Sequence, residues 1–184
     1  MNPSSKVVYL TFDDGPIPEC TPLVLDILSK YGIHATFFMV AENAQRYPEL
    51  LQRVREEGHS IGNHTYHHLR GCKTTKQTYM QDIAVAKQVL QTSLFRPPHG
   101  RMTCSQKKAL REAGYQIYLW DVLTHDYNPK YTPEKMLRIV QRFTRNGSII
   151  VLHDSLKSKD RMLQALPQII KWLQAEGYTF QTLK

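Results

Sequence analysis

Two acids stand side by side at Asp13 and Asp14, directly before Gly15-Pro16, and four of the chain's eight histidines fall within ten residues: His59, His64, His67 and His68. His64 and His68 are four apart, a spacing that puts both on one face of a helical turn. Two imidazoles and one carboxylate make a three-ligand site of the catalytic zinc type, with a position left open for water. Neighbouring side chains of an extended segment point to opposite faces. A tight turn at Gly15-Pro16 can nonetheless present both acids to one pocket, one to bind a metal and the other free to act as a base.

The elements that must position these residues alternate between strand and helix. Residues 6–12, 35–40, 59–63, 94–95, 115–122, 148–152 and 178–183 read as strands. Residues 22–31, 47–57, 74–92, 105–113 and 161–176 read as helices, most of them stopped by a glycine. That order predicts parallel strands joined by crossover helices, with residues 126–133 as the longest loop. Polar residues gather just past the strands: Asp13 and Asp14; His64, His67 and His68; Arg96 and His99; Asp121, His125 and Asp126; His153 and Asp154. Ligands bind at this carboxyl edge in parallel α/β folds, so five strand ends carrying acids, histidines or an arginine predict one shared site.

The chain has 184 residues, 41% apolar and 22% charged, which excludes a disordered chain, a membrane protein and a fibrous repeat. The length predicts a single domain over residues 1–184. No apolar run is long enough for a membrane span, and the first six residues contain no apolar stretch of the secretory-signal kind. A trimmed signal would leave the same sequence, so localisation stays open. Cys20, Cys72 and Cys104 are too few and too widely spaced for a disulfide framework or a sulfur zinc site. The net charge of +8 invites a nucleic-acid reading, but residues 1–126 carry only +2 and residues 127–184 carry +6. No nucleic-acid motif accompanies that excess, so no nucleic-acid partner is expected. A solvated helix face, or a weak attraction toward an anionic polymer, accounts for it more simply.

Four blocks carry a family resemblance: residues 11–16 (TFDDGP), 64–68 (HTYHH), 96–100 (RPPHG) and 152–154 (LHD). With these the chain resembles the polysaccharide deacetylases of the NodB-homology type, carbohydrate esterase family 4. The resemblance implies a distorted (β/α) barrel with fewer than eight full units. It implies a metal-dependent hydrolase that removes N-acetyl groups from the amino sugars of a peptidoglycan- or chitin-like glycan and releases acetate. One divalent metal ion is implied on Asp14, His64 and His68, with zinc the best match and cobalt or nickel as alternatives. Asp13 is then the general base, Arg96 holds it, and His153 is the general acid. The backbone N–H of His99 helps form the oxyanion hole, and Leu152 and Trp120 line the substrate pocket.

The sequence departs from the family at Leu123, where an aspartate that supports the acid histidine is usual, and at His99, where tyrosine is frequent. Asp126 is the available substitute for that carboxylate. Two further readings follow: a weakened, metal-retaining carbohydrate-binding protein, or an amidase for small non-sugar amides. Among the remaining residues, His34 and His59 read as structural and His67 as facing solvent. Asp154 serves either the neighbourhood of His153 or a helix cap, and Tyr127 is a candidate sugar floor.

Overall fold

Strand β1 (Lys6–Asp13) is the spine of the molecule, because three other strands pair with it. The computed structural model describes residues 6–184; Met1–Ser5, the start read above for a secretory signal, lies outside them. The other strands are β2 (Thr36–Met39), β3 (Ser60–Asn63), β4 (Leu94–Phe95), β5 (Gln116–Ile117), β6 (Val122–Leu123), β7 (Ser148–His153) and β8 (Tyr178–Phe180). Every pairing is parallel. The order is β5-β4-β3-β2-β1-β7-β6, with β8 beside the first residues of β1 and β2 beside its last. Edge strands β5 and β6 do not pair with each other among the described residues, so the sheet forms an incomplete barrel, as expected.

Strand alternation sends Val8, Leu10 and Phe12 of β1, and Ile150 and Leu152 of β7, into the main core under the helices. Helices α1 (Thr21–Lys30), α2 (Ala41–Arg46), α3 (Pro48–Glu56), α4 (Lys76–Leu90), α5 (Cys104–Glu112), α6 (Pro133–Phe143) and α7 (Lys159–Ala175) connect the strands. The opposite residues, Tyr9 and Ile149, face inward and pack with Phe38, Leu94 and Leu183 at the base of the barrel. Leu183 donates its N–H to Thr36 Oγ1 at 2.9 Å, so the last residues of the chain close that end.

Three elements differ from the sequence reading. The run 115–122 is two short strands, β5 and β6, separated by a bend at residues 118–121. Helix α6 is an element that the sequence reading does not include. Met136, Leu137, Ile139, Val140 and Phe143 recur at helical spacing, Thr132 caps the helix and Pro133 opens it, so the signal for it is present in the sequence. Helix α2 has six residues, too few for a helical pattern, and is set off from α3 by Tyr47 before Pro48.

Candidate active site

Asp13 ends β1 and Arg96 follows β4, and the two meet inside the barrel: Arg96 Nη1 donates to Asp13 Oδ1 at 2.7 Å. Arg96 is fully buried, the largest such side chain among the described residues. Burying a guanidinium is tolerable only where its donors are satisfied. Here Nη1 also reaches Thr11 Oγ1 at 2.7 Å, while Nε and Nη2 reach the carbonyls of Tyr118 and Leu119 at 3.3 and 3.2 Å. The cation lies 4.1 Å from the centre of the Phe38 ring and 5.7 Å from that of Trp120. Gly62 makes room for this stack, since a Cβ there would sit 2.3 Å from the Phe38 ring. Arg96 thus spans the gap between β5 and β6 and leaves the second oxygen of Asp13 for the cleft.

Asp14 leaves the strand with a φ of +84°, which breaks the alternation of an extended chain and turns its carboxylate to the same cleft as Asp13. Gly15 follows so closely on Asp154 that a Cβ would lie 2.0 Å from its carboxylate. Asp154 accepts from Gly15 N at 3.0 Å and Thr21 Oγ1 at 2.6 Å, so it pins this turn to the start of α1. Burial pushes the Asp154 carboxyl up to about 7 against those hydrogen bonds. Its side chain makes no hydrogen bond to His153 among the described residues, and its role is to pin the turn.

Asp14 Oδ1 is 3.7 Å from His64 Nε2 and 3.2 Å from His68 Nε2. The ligand atoms of these three residues all lie within 4.8 Å of one another, the one such grouping among the described residues. His64 Nδ1 donates to the Arg96 carbonyl at 2.8 Å, which leaves the Nε2 lone pair turned to the cluster. Burial pulls the His64 pKa down to about 4, keeping the ring neutral as a metal ligand requires. Burial opposes charge on Asp14, but the hydrogen bond from His68 and the nearby imidazoles outweigh it and hold the carboxylate well below its usual range. The donor set, its protonation and its spacing therefore fit a divalent cation of the zinc, cobalt or nickel type.

The expected helical turn at 64–68 is absent: the segment is a loop with left-handed residues at Thr65 (φ +67°) and His68 (φ +55°). Side chains take the backbone groups that a helix would use. Asn63 Oδ1 accepts from Thr65 N at 2.8 Å, and Thr65 Oγ1 accepts from Leu69 N at 3.1 Å. Buried Asp82 of α4 accepts from Tyr66 N, His67 N and His67 Nδ1. Asp82 was not singled out in the sequence; the one available signal was its standing as the sole acid between residues 70 and 111.

On the far side, His153 Nδ1 donates to Asp126 Oδ1 at 2.7 Å and its N–H donates to Asp126 Oδ2 at 2.6 Å. Burial disfavours charge on His153, but the Asp126 hydrogen bond and charge, joined by Asp13 and Asp14, push its pKa up to about 9. Asp126, the substitute that the sequence offered for the carboxylate missing at Leu123, is fully buried and holds His153.

Asp13, Asp14, His64, His68, His99, Trp120 and His153 line one cleft of about 370 Å³. Leu123 and Tyr127, the latter the candidate sugar floor, complete it with Ser155 and Lys157, which the sequence did not put forward. Leu152 is a correction. It is fully buried in the helix-facing core because its neighbour His153 takes the inner face, and Leu123 occupies the cleft instead. Asp121 is a second. It opens β6, at the opposite end from the site, and holds Arg145 at 2.9 Å and Ile149 N at 3.1 Å. His125 does not line the cleft but lies against Tyr131 and reaches Tyr127 Oη at 3.3 Å, and His59 accepts from Ala35 N at 3.1 Å as a structural residue.

The family model of polysaccharide deacetylases matches residues 1–118. The chain is 37% identical over 187 aligned residues to a peptidoglycan-N-acetylglucosamine deacetylase of Bacillus cereus, covering 98% of this chain and 87% of that one. It is 31% identical to the peptidoglycan-N-acetylmuramic acid deacetylase PdaC of Bacillus subtilis, of whose length it spans 39%. A crystal structure of a peptidoglycan N-acetylglucosamine deacetylase bound to 4-naphthalen-1-yl-N-oxidanyl-benzamide superposes with a TM-score of 0.93. That pair shares 34% identity, over 98% of this chain and 88% of the other. With the sequence blocks, the incomplete parallel barrel and these relatives in agreement, the chain belongs to the polysaccharide deacetylase family and is an enzyme of that class.

Proposed function

We propose that the chain hydrolyses the N-acetyl group of acetylated amino sugars in a glycan, peptidoglycan first among them, and releases acetate. The observation that carries this reading is that a held carboxylate, Asp13, and a held imidazolium, His153, share one cleft with the Asp14–His64–His68 donor set. The relatives named as peptidoglycan deacetylases support the choice of glycan.

Asp14, His64 and His68 would hold the divalent cation, which when bound polarises a carbonyl and lowers the pKa of water. Asp13, its Oδ1 fixed by Arg96, takes the proton from the attacking water through its second oxygen. His99, with a φ of +58°, offers its backbone N–H to the carbonyl oxygen as negative charge develops there. Leu123 offers the acetyl methyl an apolar contact, and Trp120, packed over Gly100, forms a flat wall for the sugar ring. His153 carries a proton at neutral pH and gives it from Nε2 to the departing amine, while Asp126 keeps Nδ1 protonated and the ring oriented. Residues 1–184 act as one catalytic unit in this reading.

The test is acetate release from peptidoglycan fragments and N-acetylglucosamine oligomers, before chelation, after it, and after adding back zinc, cobalt or nickel. We expect release to fall about a hundredfold or more on chelation and to return on add-back. Equal rates with and without chelator would overturn the role of the donor set. Release from simple amides alone would move the activity to a small-amide amidase.

A further inference from the structure

Beyond the cleft, His99 also borders a second cavity of about 330 Å³, lined on its other sides by Arg70, Lys73 and Arg101. A third cavity, of about 430 Å³, shares Cys72 and Arg101 with it and adds Lys107 and Arg111. No aspartate or glutamate lines either one. All five cations are exposed, and none forms an ion pair among the described residues. Arg53, by contrast, holds both Asp26 and Glu57. Residues 70–111 contain nine lysines and arginines against a single acid, Asp82, whose carboxylate is already committed to Tyr66 and His67. That segment carries +8, and five of its nine cations line this path, so a second positive region stands beside the cleft in addition to that of the last third.

Like charges crowded without partners repel one another and raise the local potential, which favours an anion brought to the same place. Arg70 ties the path to the site, since its Nε donates to His99 Nε2 at 3.1 Å. We propose that this path is a subsite for carboxylates carried by the glycan residues next to the sugar in the cleft, either a lactyl ether on a neighbouring amino sugar or the peptide attached to it. The proposal rests on the glycan deacetylase reading and deepens it, because it makes the enzyme prefer an anionic strand to a neutral one.

The experiment compares a tetrasaccharide of alternating N-acetylglucosamine and N-acetylmuramic acid with the same compound after its carboxylates are converted to methyl amides. Binding is followed by calorimetry and acetate release by kcat/KM. The carboxylated form should bind about tenfold more tightly at low salt, the scale of a few exposed charge pairs. That preference should shrink as salt shortens the screening length. The combined substitution Arg101→Gln, Lys107→Gln and Arg111→Gln, all on exposed positions, should bring the ratio of the two affinities to within about twofold. Equal binding of the two compounds by the unaltered protein would overturn the subsite. So would a preference that survives the triple substitution, or a single-stranded oligonucleotide that displaces the tetrasaccharide at lower concentration. Preferential binding with no acetate release supports the subsite and sinks the hydrolase reading. Acetate release with no preference does the reverse.

Discussion

On one wall of the cleft the functional side chains leave strands, and on the other they leave turns and loops. Asp13 and His153 are the last residues of β1 and β7, held in register as direct partners across the sheet, and Arg96 follows β4. Their supports are buried: the Arg96 side chain is 0% exposed, and so is that of Asp126. Of the donor set, His64 follows β3 directly and is buried, but Asp14 and His68 sit where the backbone has turned to positive φ, and their side chains are 30% and 34% exposed. A parallel ladder fixes a strand end without help from side chains. A loop ligand needs ties from elsewhere, and α4 supplies them through Asp82 and through its Ile83 carbonyl, which accepts from Asn63. The acid–base wall is therefore built on the sheet itself, and on the metal wall the loop residues are fastened to it by side chains.

If that contrast holds, the strand wall cannot be damaged without cost to folding. Arg96→Leu leaves the Asp13 carboxylate buried without its cation and strands the Tyr118 and Leu119 carbonyls. Breaking a buried pair from one side costs about 3–5 kcal/mol. Denaturant unfolding should therefore show a loss of that order, with activity absent. A loss below about 1 kcal/mol would mean that the arginine serves chemistry alone and that the strand wall is no more structural than the loop wall.

A milder test acts on the same wall through its proton. His153 is raised by Asp126 from the ordinary histidine value of 6.5 to about 9. The stabilisation that the imidazolium gives the fold is complete below 6.5 and disappears as the pH rises through about 9. Asp126→Asn removes the charge and keeps the shape. The pKa of His153 should drop, and the alkaline limb of kcat/KM should move to lower pH, because the acid form is then lost sooner. NMR titration of the His153 ring measures the same shift directly. An alkaline limb that stays in place would show that another group supplies the proton.

The contrast also explains what could be read from the chain beforehand. The β-branched and aromatic runs of β1 and β7 announce strands, and Asp13, Asp14, His153 and Asp154 mark where those strands end. Two things were hidden by parity. Leu152 and Leu123 trade places in the cleft because a strand reverses its side with every residue, and the sequence does not say which face is inward. The break between β5 and β6 was hidden for a different reason: the carbonyls at the bend are claimed by Arg96, more than twenty residues earlier, and no local pattern records that bond. Asp126 was legible only as a possible substitute, since its partner His153 lies 27 residues on. The basic path escaped because dividing the charge at residue 126 averaged the +8 of residues 70–111 with an acidic remainder.

The smallest expected effect is on the loop wall, and it separates the two constructions most cleanly. Asp82→Ala frees the N–H groups of Tyr66 and His67 and the His67 ring, none of which touches the cleft. The fold should keep most of its stability, with a loss of about 1–3 kcal/mol from the donors left unpaired. The affinity of the Asp14–His64–His68 set for zinc should fall about 10- to 100-fold, the range found when a residue that orients metal ligands is removed. Saturating zinc should then restore most of kcat, because Asp13 and His153 remain held by Arg96 and Asp126. Asp82→Asn, which keeps one accepting oxygen, should fall between the two. If zinc affinity is unchanged while kcat collapses at saturating metal, the loop is not a separate attachment, and the two walls of the cleft must be treated as one rigid body.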